Sequence, residues 1–124
     1  MAARKSPTAI RNRATGKWSR TVRNDIRRIV NQIVERFTPL QVVLFGSHAQ
    51  GQADADSDVD LLVVMPNEVK QITSLDIRRA VSYNTPLDVL VYSQDALNAR
   101  VTAGDFFLQD ALETGEVLYE QPCK

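Results

Sequence analysis

The chain has one cysteine, Cys123, so no disulfide can form within it, and no Cys/His cluster suggests a structural zinc site. Aromatic residues make up only 6% of the 124 residues, with one tryptophan and one histidine. Aromatic side chains are not interleaved with the basic ones, so the stacking pattern of a nucleic-acid reader is missing. No apolar run approaches the ~18 residues of a membrane span. The first thirty residues are polar and basic and show no apolar core of a secretory signal. These features point to a cytoplasmic protein with no membrane partner. Five glycines and five prolines exclude collagen-like and low-complexity chains. What remains is ordinary for a globular domain: 44% apolar and 24% charged residues. A chain this long is one domain that buries roughly two-thirds of its unfolded surface.

Charge is balanced overall and segregated along the chain. Residues 1–36 carry ten Lys or Arg against Asp25 and Glu35, a net of +8. Residues 37–124 carry five against thirteen acids, a net of −8. Residues 1–17, rich in Arg, Lys, Ser and Thr, read as a flexible basic arm. Residues 18–124 read as the folded domain. The arm is either a solvated leader or a surface for an acidic or phosphate-rich partner, nucleic acid included.

Val22, Ile26, Ile29, Val30, Ile33, Val34 and Phe37 recur at spacings of three and four, which predicts an amphipathic helix ending before Pro39. Short apolar, β-branched runs predict buried strands at 40–45, 59–65 and 87–92, with a last short strand at 117–119. Helical spacing covers 69–83, 94–100 and 105–114. Ser93 is the expected N-cap of the second of these and Gly115 the left-handed residue closing the third. Phe106, Phe107 and Leu108 are either core or a docking patch. Interleaved helices and strands give an α/β or α+β fold, a small mixed sheet flanked by helices.

The chemistry concentrates in Gly46-Ser47, ten further residues, then Asp58-Val59-Asp60. Alternate residues on a strand share a face, so Asp58 and Asp60 project together with Cα atoms about 6.5 Å apart. Their repulsion is about 2–3 kcal/mol at an effective dielectric near 20. A divalent cation reverses that sign, and Mg²⁺ prefers carboxylate oxygens and shared phosphates. Asp88 opens another apolar strand and supplies a third carboxylate if the two strands are neighbours. Three acids can hold two metal ions for in-line phosphoryl or nucleotidyl transfer, with Asp88 the best-placed base for an incoming hydroxyl. Gly46 after a strand lets backbone approach a ligand, and the Ser47 hydroxyl can donate to a phosphate oxygen. Gly51 allows a second bend.

Gly46-Ser47-x10-Asp58-x-Asp60 resembles the signature of the nucleotidyltransferase superfamily that includes DNA polymerase β. The stretch FGSHAQGQADADSDVDLLV and the ending ALETGEVLYE look like its minimal nucleotidyltransferases. The resemblance covers residues 40–119 and implies a polymerase-beta-like fold. By position, it implies that Gly46 and Ser47 bind nucleotide phosphates and that Asp58, Asp60 and Asp88 bind Mg²⁺. Many such proteins are antitoxins that transfer AMP from ATP to a tyrosine of a HEPN ribonuclease toxin, and the resemblance implies that role and partner here. The toxin's own arginine–histidine motif is absent. A small-molecule nucleotidyltransferase of the aminoglycoside type and a non-catalytic antitoxin are the alternatives. Many relatives read GSRARG, so His48 and Gln50 stand where arginines are common, which implies weaker phosphate contact. His48 itself reads as a loop residue near the phosphate site.

Overall fold

Two apolar faces on one short sheet need two layers of helix, and the chain supplies one layer from each end. The computed structural model describes residues 20–49, 58–68 and 71–122, with side chains from residue 22 onward. The expected arm at 1–17, Gln50, Gly51 and Cys123 lie outside the described residues.

Helix α1 (Arg20–Phe37) turns Ile26, Ile29, Val30 and Ile33 inward and leaves Arg27, Arg28 and Arg36 in water. It ends at the expected place by a different device. Thr38, rather than taking the extended conformation favoured before proline, has φ +45° and donates its N–H to the Val34 carbonyl at 3.1 Å. Strands β1 (Gln41–Phe45), β2 (Val59–Met65), β3 (Leu87–Ser93) and β4 (Glu116–Glu120) form one mixed sheet in the order β3-β2-β1-β4. β1 runs antiparallel to β2 and β4, and β2 runs parallel to β3.

The parallel pair needs a crossover, which carries α2 (Ser74–Ala80). This helix is shorter than the predicted 69–83, of which 69 and 70 lie outside the described residues. It starts where Thr73 closes a capping box with Asp76, the two backbone-to-side-chain bonds measuring 2.9 and 3.2 Å. It stops at extended Val81, because α1 holds the following loop. Gln32 donates to the Ser82 carbonyl and accepts its N–H, at 3.2 and 3.0 Å. Asp25 accepts the N–H groups of Asn84 and Thr85 at 3.1 and 2.9 Å and pairs with Arg28. Helical periodicity in the sequence therefore ran past the point where tertiary hydrogen bonds take over.

Helices α3 (Gln94–Thr102) and α4 (Phe106–Thr114) cover the other face. Ser93 caps α3 as expected, and Asp105 caps α4, accepting from Leu108 N–H at 3.1 Å. Gly115 departs from its predicted left-handed conformation, with φ −76°. It is small for packing reasons: a Cβ there would stand 2.7 Å from Val43 Cγ1 and 2.8 Å from the Leu44 carbonyl oxygen. One core lies between α1, α2 and the sheet, through Ile29, Ile33, Val42, Leu44, Leu61, Val63 and Ile77. The second lies under α3 and α4, through Val43, Phe45, Leu62, Val64, Leu97, Leu108 and Ala111. Among the described residues no helix is long and apolar enough to cross a membrane.

Asp25 is only 2% exposed. Replacing it with Ala strands two backbone donors, each worth about 1–3 kcal/mol when left without a partner. We expect Asp25→Ala to lower the urea unfolding free energy by about 2–4 kcal/mol. Asp25→Asn, which keeps an accepting oxygen, should lose less than half of that. An Ala variant within 0.5 kcal/mol of wild type would show that the loop before β3 is held by other contacts.

Candidate active site

Strand alternation sorts β2 into two sets. Val59, Leu61 and Val63 belong to the core under α1 and α2, while Leu62 and Val64 belong to the core under α3 and α4. Asp60 shares the second face, and Asp58 by the same period of two precedes it there. The register makes the neighbours explicit. Asp60 pairs with Asp88 on parallel β3 and with Phe45 on antiparallel β1. The row Asp88, Asp60, Phe45 thus crosses three strands, and its Phe45 end packs into the core under α3 and α4. Asp60 is half-buried, and Asp58 and Asp88 are exposed.

The electrostatics follow from that row. Burial, then the Asp88 charge, then the Asp58 charge all act against ionisation of Asp60, and its pKa rises to about 6. The carboxylates of Asp58 and Asp88 raise the cost of ionising Asp60, and the three together make a donor set of hard oxygens that fits Mg²⁺. Among the described residues no three His, Cys, Asp or Glu side chains close up into a finished metal cage. Two of the three acids, Asp58 and Asp88, are exposed.

Gly46 leaves β1 with φ +79°. A Cβ there would overlap Asp60 Oδ2 and stand 3.3 Å from Asp60 Cγ. The glycine therefore does two things at once: it permits the left-handed turn and it leaves room for the carboxylate. Ser47 follows on the surface, with its hydroxyl open to a ligand. The structure brings Gly46, Asp60 and Asp88 together, sets Asp58 within electrostatic reach and places Ser47 next in the chain. His48 is different. It stays in the turn that follows Ser47, but at 2% exposed its side chain packs into the interior. The Phe106–Leu108 segment splits between its two readings: Leu108 is fully buried, while Phe106 and Phe107 are 82% and 58% exposed.

Sequence reasoning missed two contributors. Asp25 secures the loop that delivers β3, and hence Asp88, to its place. Its signal was an acid lying within the apolar stripe of a basic helix, between Val22 and Ile26. Phe45 and Phe107 meet edge to face beside Asp60, with centroids 5.6 Å apart and planes at 88°. Nothing local in the sequence reports that contact.

A model of the nucleotidyltransferase domain matches residues 26–113, which include the glycine–serine bend, all three acids and both helical layers. The chain belongs to the nucleotidyltransferase domain family. It is therefore a nucleotidyltransferase by family. A curated relative from Methanocaldococcus jannaschii, named "Putative protein adenylyltransferase", is 27% identical over 96 residues, which cover 76% of this chain and 94% of the relative. A crystal structure described as a toxin-antitoxin with AMP-PNP superposes with a TM-score of 0.57 at 19% identity, covering 77% of this chain and 73% of that one. At that identity the likeness speaks for the fold.

Proposed function

We propose that this nucleotidyltransferase moves AMP from ATP to a tyrosine hydroxyl of a HEPN-type toxin and thereby acts as its antitoxin. The observation that carries the reading is the pairing of Asp60 with Asp88 directly over the Gly46 bend. The name of the archaeal relative and the toxin-antitoxin context of the fold neighbour lend it support. Asp58, Asp60 and Asp88 would hold Mg²⁺, which supplies positive charge against the triphosphate and the departing pyrophosphate. Gly46 and Ser47 offer backbone N–H and hydroxyl donors to the phosphate oxygens. Asp88 accepts the proton of the tyrosine hydroxyl as its oxygen bonds to the α-phosphorus. The bond from the α-phosphorus to the bridging oxygen breaks, and pyrophosphate leaves. Asp88 suits this role because it stands at the exposed edge strand, where a protein acceptor can reach it.

The test is label transfer. The chain is incubated with Mg²⁺, its co-encoded toxin and ATP labelled either at the α- or at the γ-phosphate. Label from the α position alone should appear on a toxin tyrosine, and the Asp58→Ala/Asp60→Ala double variant should give none. Transfer to an aminoglycoside and not to the toxin would favour the small-molecule reading. Toxin neutralised without label, equally well by wild type and double variant, would establish occlusion in place of catalysis.

A further inference from the structure

The carboxylate row does not end at Asp60. Its third member is Phe45, and Phe107 seats its ring against Phe45 while more than half of its side chain stays in water. Phe106, next in the chain, is the most exposed of the large apolar side chains described. Both open helix α4, and the Asp105 cap and the buried Leu108 one turn on fix that end in place. The result is a rigid aromatic surface bordering the most polar part of the molecule.

The order of residues across the sheet says what it faces. Asp88 lies on β3, at the edge. Gly46 and Ser47 extend β1, two strands away. If the phosphates lie at Gly46 and Ser47 and the acceptor at Asp88, the nucleotide occupies the β1 side and the acceptor the β3 side. Phe45 is on β1, and Phe107 packs on it. We infer that Phe107 is a nucleoside-binding residue, the platform on which the base of the bound nucleotide stacks. Phe106 widens that platform. This rests on the nucleotide reading above. Stacking on an aromatic ring tolerates any base, because every base has a π-face.

The experiment compares two ligands that share the phosphates and differ in the base. Binding of ATP and of inorganic tripolyphosphate, both with Mg²⁺, is measured calorimetrically for wild type, Phe107→Ala, Phe107→Leu and Phe107→Trp. Phe107→Ala should weaken ATP about tenfold and leave tripolyphosphate unchanged. Phe107→Leu should fall between, and Phe107→Trp should restore ATP affinity. Unchanged ATP binding, including the case where only toxin capture drops, overturns the inference. So does an equal loss for both ligands, which reports damage to the phosphate site. If wild type binds neither ligand, the nucleotide reading itself fails first and the platform goes with it.

Discussion

Asp60→Asn should make the metal-free protein more stable and the enzyme almost inactive. The two effects have one cause. Asp60 has its pKa raised from 3.8 to about 6 by burial and by Asp88 and Asp58. A carboxyl whose folded pKa lies above its unfolded value stabilises the fold at low pH, and that stabilisation is lost as pH rises through the folded pKa. Wild type without metal should therefore lose stability between about pH 4 and pH 6 and stay at the lower level above it. A two-unit shift would amount to about 3 kcal/mol for a fully buried group. Asp60 is only half-buried, and solvent screening reduces the figure to about 1 kcal/mol. The neutral amide escapes this loss, so at pH 7.5 metal-free Asp60→Asn should melt a few degrees above wild type.

Magnesium should reverse the order. A cation at ten times its dissociation constant stabilises wild type by about 1.4 kcal/mol, and proton and metal compete for the same oxygens, so the gain should grow through pH 6. Asp60→Asn should show little of this response. Losing several kcal/mol of charge stabilisation in the transition state corresponds to about a 10³-fold loss of transfer rate. Differential scanning calorimetry across pH, with and without Mg²⁺, reads the first two effects, and label transfer reads the third. A metal-free Asn variant that melts below wild type would mean that Asp60 is held by partners in the fold, not strained by its neighbours.

The part of this site that strand alternation governs was legible in the sequence. Asp58 and Asp60 had to share a face because the period of a strand is two, and Leu61 had to point into the core. The pairing of Asp60 with Asp88 was legible only as a condition, because register between β2 and β3 is set by a crossover of more than twenty residues and not by local pattern. The same limit explains the overlong α2 and the misread Gly115. The chain leaves α2 at Val81, and the residues after it meet α1: Ser82 donates its N–H to Gln32, and Asn84 and Thr85 donate theirs to Asp25, fifty or more residues earlier. Gly115 is small because Val43 and Leu44 approach it, not because its backbone turns left-handed. His48 lies in the turn where the sequence placed it, and its burial is set by packing that no local pattern reports.

Gly46→Ala should damage both fold and activity, and a second glycine supplies its control. Gly46 and Gly104 both have positive φ, +79° and +96°. Any alanine placed there carries a left-handed penalty of about 1–2 kcal/mol. The surroundings differ completely. Around Gly104 nothing lies within 4 Å of the added Cβ, whereas at Gly46 that atom overlaps the Asp60 carboxylate. Overpacking of this kind adds about 1–3 kcal/mol, so Gly46→Ala should cost about 2–5 kcal/mol in total and Gly104→Ala only the backbone share. The gap in activity should be wider than the gap in stability. Relief of the overlap means moving Asp60, and a displacement near 1 Å at a reacting centre costs about 10²-fold. Gly104→Ala should transfer AMP at the wild-type rate. A double variant separates collision from strain. Removing the carboxylate in Gly46→Ala/Asp60→Ala should return the overpacking share, so the two changes should fall short of additivity by about 1–3 kcal/mol. Strict additivity in chemical denaturation would show that the glycine serves the turn alone and that the carboxylate does not depend on it.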